Sequence, residues 1–266
     1  MAGLLHFGYL LWGTVVYRPY VYVFFACYLF FSLGHLRARD TLIYTLSAYL
    51  IAFACEYSAT RNGFPFGAYV YLDGTRTQEL WLSNVPFWDS LSFVFLSYFS
   101  WVLAMALIPT TASGTKREFR IAVLGGFLMM LLDVVIDPLT LLGDRWFLGK
   151  IYYYPNGGSY FGVTLSNFAG WFFVGSSTML MFQAMARAGL TRPRDWRPFA
   201  RWKIWGAYGV YAGVLAFQLA VTAWIGQWRL FAASFVVTLA VLVPCFFVLR
   251  GTRAVVGVWQ TSGVGA

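Results

Sequence analysis

The chain of 266 residues is 60% hydrophobic and 21% aromatic but only 11% charged, with a formal net charge of +9 and a mean hydropathy of +0.65. A soluble domain carries about 25% charged residues, so this much apolar surface excludes a single soluble core and indicates an integral membrane protein. Two histidines are too few for a histidine-rich di-iron centre, no P-loop occurs, and NGGSYFG (156–162) does not form a dinucleotide fingerprint.

In chain order, apolar runs at 4–17, 20–36, 41–58, 86–108, 119–142, 163–186, 204–225 and 228–249 are the candidate membrane helices, judged against the roughly 20 apolar residues a span needs. The first is short and fits either a span or an interfacial helix. The expected fold is therefore all-α, a polytopic bundle of seven or eight transmembrane helices in one membrane domain, 1–266. Its opening, MAGLLHFGYLLWGTVVYRPY, has no basic residue ahead of the apolar run and no small-residue cleavage pattern, so it reads as retained chain. Pro19, Pro86 and Pro109 mark breaks. Cys27, Cys55 and Cys245 sit far apart in apolar runs and read as small apolar side chains, not as a disulfide framework.

The positive charge would suit nucleic acid, but its distribution argues for a membrane. Arg37, Arg39, Lys116, Arg117, Arg120, Arg187, Arg192, Arg194, Arg197, Arg201, Lys203, Arg250 and Arg253 fall in the connections of one face, against Arg18, Arg61, Arg76, Arg145, Lys150 and Arg229 on the other. This bias puts the first face, with the 187–203 loop, in the cytoplasm. Loops 59–85 and 143–162 then lie on the opposite face of the cell membrane. RPRDWRPFARWK (192–203) reads as an anchor to anionic lipid headgroups, and no nucleic acid partner is expected. Gln183 and Gln218 read as interhelical hydrogen-bond partners.

The two outer loops resemble each other. EYSATRNGFPFGAYVYLDGTRTQELWLSNVPFWDS (56–90) and DPLTLLGDRWFLGKIYYYPNGGSYFGVTLSNFAGW (137–171) each begin with an acid at a span end. Each continues to a glycine, Gly67 or Gly149, and then to tyrosines: Tyr69 and Tyr71, or Tyr152, Tyr153 and Tyr154. NVPFWD then matches GVTLSN, which sets Asp89 opposite Asn167. The expectation is a parallel internal repeat of units 41–108 and 119–186, followed by a helix pair, 204–249. Interfacial aromatic belts are the alternative source of this likeness.

LLDVVIDP (131–138) holds the most unusual residues. Asp133 and Asp137 are four apart and share one helix face, and an aspartate at the centre of a membrane helix costs about 2.5–3.5 kcal/mol on insertion scales. Both are expected to point into the bundle, in one layer with Glu56, Asp89 and Asn167. Desolvation and mutual repulsion oppose ionising two such neighbours together, so one stays an acid able to protonate a weak base. Trp88, Trp146 and Trp171 can line an apolar channel and stabilise a cation. Against this, Asp137 can simply cap a helix end before Pro138, and Asp133 can pair with Arg145 or Lys150 or receive tyrosine hydroxyls.

Glu56 with GFPFGAYVY (63–71), LLDVVIDP, and YFGVTLSNFAGW (160–171) resemble the membrane carotenoid hydratase family over roughly residues 40–185. Thr164 stands where that family's pattern has proline. The resemblance implies addition of water to the terminal 1,2 (1′,2′) double bond of an acyclic ψ-end carotenoid, giving a tertiary alcohol with no cofactor and no metal. The implied partners are a carotenoid, water and other carotenoid-biosynthesis enzymes. The acid–base chemistry then falls to Asp137, Asp133, Glu56, Asn167 and Asp89, and Phe66, Tyr69, Tyr71, Trp88, Tyr153, Tyr160 and Trp171 are expected to contact the polyene. A carotenoid cyclase using the same protonation step is an alternative, as is a proton-coupled transporter or pigment-binding scaffold.

Overall fold

A computed structural model describes residues 2–109, 114–191 and 201–251. Among these the fold is all-α. Its helices are α1 (Ala2–Tyr17), α2 (Pro19–His35), α3 (Ala38–Asn62), α4 (Phe87–Leu107), α5 (Gly114–Thr140), α6 (Leu165–Arg187), α7 (Arg201–Trp224) and α8 (Trp228–Gly251). Every apolar run of the sequence is helical. Residues 192–200 of the basic stretch, and Arg253, lie outside the described residues.

Seven or eight spans were expected, whereas α3, α4, α5, α7 and α8 are long and apolar enough to cross a membrane, with a sixth span if α1 and α2 count as one broken span. At 1.5 Å per residue α1 and α2 each reach about 25 Å, short of the roughly 30 Å hydrocarbon core. Pro19 has no N–H to continue the helix from α1, and the chain bends there by 91°. In α6, Asn167, Ser176, Ser177, Thr178 and Gln183 dilute the apolar content. Pro138 does not end α5, which runs on to Thr140, so Asp137 lies inside the helix and does not cap it.

FWDSLSFVFLSYFSWVLAMAL is apolar around its whole circumference, the pattern of a helix surrounded by others. Accordingly α4 is the central helix, buried along nearly its entire length and packed against α2, α3, α5, α6, α7 and α8. By contrast α8 leaves Phe235, Val236, Leu239, Val243 and Phe247 exposed, a face suited to lipid. At one end of the bundle the loops after α3 and α5 meet. β1 (Val70–Tyr71) pairs antiparallel with β4 (Tyr152–Tyr153), in the register Val70 to Tyr153 and Tyr71 to Tyr152. β2 (Trp81–Leu82) and β3 (Val85–Pro86) form a small hairpin leading into α4.

The bend between α1 and α2 is fastened to this end. Arg18 forms a fully buried ion pair with Glu79, with Nη2 2.9 Å from Oε1. Arg18 Nη1 also donates to the carbonyl of Leu148 at 2.8 Å. Glu79 Oε2 accepts the Trp88 indole N–H at 2.7 Å, and the Arg18 guanidinium lies 4.7 Å from the centre of the Trp88 ring. Removing one member of a buried pair leaves the other charge uncompensated, a loss of about 3–5 kcal/mol. Arg18→Met should therefore lower unfolding stability in detergent by about that amount, and Arg18→Met/Glu79→Gln should recover most of it. Equal stability of the single and double variants would contradict this account.

Candidate active site

Two hydrogen-bonded groups of acids face each other beneath the paired loops. In the first, Asn167 in the opening turn of α6 donates through Nδ2 to Asp133 Oδ2 at 2.5 Å and to Asp137 Oδ2 at 3.0 Å. Tyr154 donates its hydroxyl to the same Asp137 oxygen at 2.8 Å. Oδ2 of Asp137 thus accepts two bonds, and among the described residues none reaches Oδ1. In the second group Glu56, near the end of α3, accepts from Ser90 through Oε2. Asp89, in the first turn of α4, accepts the Tyr71 hydroxyl through Oδ2. That hydroxyl also lies 3.4 Å from Glu56 Oε1 and 3.5 Å from the Tyr69 hydroxyl. Glu56, Asp133, Asp137 and Asn167 are buried and Asp89 is half-buried. The expected partners Arg145 and Lys150 do not meet Asp133; its hydrogen bond comes from Asn167.

The loop tyrosines stay neutral. Burial, followed by the charges of Asp89 and Glu56, raises the Tyr71 phenol well above the usual tyrosine value. Tyr69 is raised by burial and the same two acids, and Tyr154 by burial and then Asp137 and Asp133. All three remain O–H donors through the physiological range.

Two cavities adjoin these groups. The larger, about 240 Å³, is walled by aromatic and aliphatic side chains from α2, α4, the loop after α5, α6 and α7, among them Trp88, Trp146 and Trp171; Asp89, Asp133 and Asp137 also reach it. The smaller, about 40 Å³, is lined by Glu56, Asp89, Asp137, Asn167, Tyr69, Tyr71, Tyr152, Tyr154 and the rings of Phe66, Phe93 and Trp171. A water needs roughly 10–15 Å³ of such space and several polar partners, so the small cavity suits two or three. Asp89, Asp137, Tyr152 and Trp171 line both cavities. Asp133 faces only the large one, and Glu56 only the small one.

The motif segments hold this geometry by interlocking. Phe66 is 2% exposed and lies over Gly170 of α6, where a Cβ would come within 2.3 Å of its ring. Gly67 has φ +89° and faces the hydroxyls of Thr164 and Ser166, so both its conformation and its surroundings require glycine. Those two hydroxyls donate to the Phe66 carbonyl at 3.1 and 3.3 Å. Thr164 thus ties the first loop to the start of α6.

Of the aromatic residues expected to contact substrate, Trp88 lines the large cavity, Trp171 both, and Phe66, Tyr69 and Tyr71 the small one. Tyr153 and Tyr160 line neither. Successive strand residues point to opposite faces, so on β4 Tyr152 turns inward and Tyr153 is 40% exposed. Tyr160 packs edge-on against Phe168, with centroids 5.5 Å apart. Gln183 does not form the expected interhelical bonds: neither end of its amide has a partner among the described residues, and Gln218 Oε1, on the wall of the large cavity, accepts none. Sequence reasoning did not single out Ser90 or Glu79. It named Tyr152, Tyr153 and Tyr154 for the likeness of the two loops, but the run YYY does not say which rings turn in.

A family profile described as carotenoid biosynthesis protein matches residues 10–243. Bisanhydrobacterioruberin hydratase of Haloarcula japonica is 30% identical to the chain over 144 residues, covering 54% of this chain and 45% of that protein. The chain therefore matches less than half the length of that relative. No solved structure matches the chain.

Substituting Gly170 tests the interlock. Gly170→Ala should displace the Phe66 ring and cost about 1–3 kcal/mol, as overpacking of a close-fitted core does. Gly170→Ala/Phe66→Leu should regain part of the loss in a thermal unfolding assay. A single variant as stable as the parent would show that Phe66 moves freely.

Proposed function

The chain belongs to the carotenoid biosynthesis protein family, and from that membership we propose that it is a hydratase adding water to the terminal 1,2 (1′,2′) double bond of an acyclic ψ-end carotenoid. The observation that carries this reading is the meeting of two unlike cavities at Asp89 and Asp137. The apolar cavity suits one end of a polyene, and the polar one suits water. Cyclisation starts with the same protonation but closes on an internal alkene and consumes no water, which gives the small cavity no task.

Asp137 is the proton donor. Its Oδ2 is held as an acceptor by Asn167 and Tyr154, which leaves Oδ1 to carry the acid proton. The terminal alkene takes that proton at its less substituted carbon, and the other carbon becomes a tertiary cation. The faces of Trp88, Trp146 and Trp171 in the cavity wall favour the positive charge. Water then forms the C–O bond and gives up a proton to a carboxylate, leaving a tertiary alcohol. Asp133, sharing Asn167 with Asp137, sets the position of that amide and the charge beside the donor.

The repeat of units 41–108 and 119–186 belongs to the same proposal. Its support is the antiparallel pairing of β1 with β4. Each unit also hangs an acid from its first helix, and Asp89 or Asn167 from its second, on a loop tyrosine or its neighbours. The basic connections assign the opposite end of the bundle to the cytoplasm, so the paired loops face outward.

The test is expression in a host that accumulates a ψ-end carotenoid, with mass analysis of the pigments. The parent should yield a product heavier by one water. Loss of general acid catalysis is worth about 10²- to 10⁴-fold, and Asp137→Asn should lower product by that factor with unchanged protein in the membrane. A product of unaltered mass would favour a cyclase, and unaltered carotenoid a transporter or pigment-binding scaffold.

A further inference from the structure

Hydration of an alkene is neutral in protons: the donor loses one, the attacking water releases one, and the site resets only when the second reaches the donor. The two cavities divide the carboxyl groups by what they can touch. A donor must face the polyene, which Asp89, Asp133 and Asp137 do and Glu56 does not. A base must face the water, which Glu56, Asp89 and Asp137 do and Asp133 does not. With Asp137 as donor, Asp89 is the remaining carboxyl that borders both ligands.

Tyr71 gives Asp89 an outlet. Its hydroxyl has one proton but lies within hydrogen-bond reach of both Asp89 Oδ2 and Glu56 Oε1, so it can donate to only one of them at a time. The contact with the other can run toward the phenol oxygen, from a protonated carboxyl, which is Glu56 when Asp89 is ionised. An acid, a phenol and a second acid in this order form a relay in which each oxygen gains one proton as it loses another. Ser90 donates to the far oxygen of Glu56 and keeps Oε1 turned to Tyr71.

We propose that Asp89 is the base that deprotonates the attacking water, and that Tyr71 passes this proton to Glu56, from which the water of the small cavity returns it to Asp137. This assignment rests on the hydratase reading and divides its labour between the two acid groups. As the water oxygen bonds to the tertiary carbon, one water O–H bond breaks, its electron pair stays on oxygen, and Asp89 Oδ1 takes the proton. Glu56, protonated at the start, gives its proton through a water of the small cavity to Asp137. The Asp89 carboxyl then turns its protonated oxygen toward Tyr71 and gives that proton to the phenol oxygen while the Tyr71 proton moves to the vacated Glu56 Oε1. Glu56 and Asp137 both line the small cavity, where one water can accept from the first and donate to the second, and the sequence ends with Asp89 ionised and Glu56 and Asp137 protonated, as at the start. The sum is alkene plus water giving alcohol. Tyr71 acts through Asp89 and is a positioning and relay residue.

The experiment uses the full chain in liposomes containing an acyclic ψ-end carotenoid, in D₂O, and follows both alcohol formed and deuterium in recovered carotenoid. Asp89→Asn should lower alcohol formation by about 10²-fold or more while deuterium still enters the recovered substrate, because Asp137 still protonates the alkene and takes a proton back. That retained exchange also reports a folded site. Asp137→Asn should lose both signals. Tyr71→Phe should slow alcohol formation by about 10-fold or more and change the solvent isotope effect, with exchange intact. Hydration at the parent rate by Asp89→Asn, or loss of exchange together with hydration, would overturn the assignment of the base. An unchanged rate and isotope effect in Tyr71→Phe would overturn the relay. Absence of alcohol from the parent chain itself would instead remove the hydratase reading.

Discussion

Four carboxyl groups meet in the candidate site, Glu56, Asp89, Asp133 and Asp137, and among the described residues the side chains that donate hydrogen bonds to them are neutral. Asn167 serves Asp133 and Asp137, Tyr154 serves Asp137, and Ser90 and Tyr71 serve Glu56 and Asp89. A guanidinium among them would fix the acids as ions. Arg18, at the same end, is held by Glu79 and the Leu148 carbonyl. The consequence is a set of acids whose protons can move. Each neutral donor stabilises a carboxyl oxygen without dictating that the group be charged.

The rest of the fold at this end serves that arrangement. Tyr71 and Tyr154 come from loops, and loops have mobile ends unless something fixes them. Pairing of β1 with β4 sets the register of the tyrosines. The Phe66 ring over Gly170 and the two hydroxyls on the Phe66 carbonyl bind the first loop to α6. Trp88 is held at its N–H by Glu79, and Trp171 stacks on Phe93 with centroids 4.2 Å apart. Trp88 and Trp171, which line the large cavity beside the acids, are thereby each held by a second group.

Much of this arrangement was legible in the sequence because acids in an apolar background stand out. Spacing alone set Asp133 and Asp137 on one helix face, and the likeness of two loops brought Glu56, Asp89 and Asn167 into the same layer. Other features had no such contrast. Glu79 sits in TRTQEL, a polar run that reads as an exposed turn, yet it is fully buried; its burial depends on Arg18, 61 residues away. In YYY the inward rings are decided by strand register, which a two-residue strand does not announce. Hydropathy found the helices among the described residues, but five of them, or six spans if α1 and α2 count as one, are long and apolar enough to cross a membrane, because of the bend at Pro19 and the polar residues of α6. Gln183 misled for a related reason: a polar residue in a membrane helix suggests a partner, but the partner must also lie within reach.

The Arg18 contact has a further consequence for biosynthesis. Its partners Glu79 and Leu148 are 61 and 130 residues further along the chain, so the first helices reach the membrane well before either exists. Domains and their elements emerge from the ribosome in order, and a lone arginine is held out of hydrocarbon until it is paired. The bend at Pro19 thus draws its fastening from two segments made later, the loop after α3 through Glu79 and the loop after α5 through Leu148.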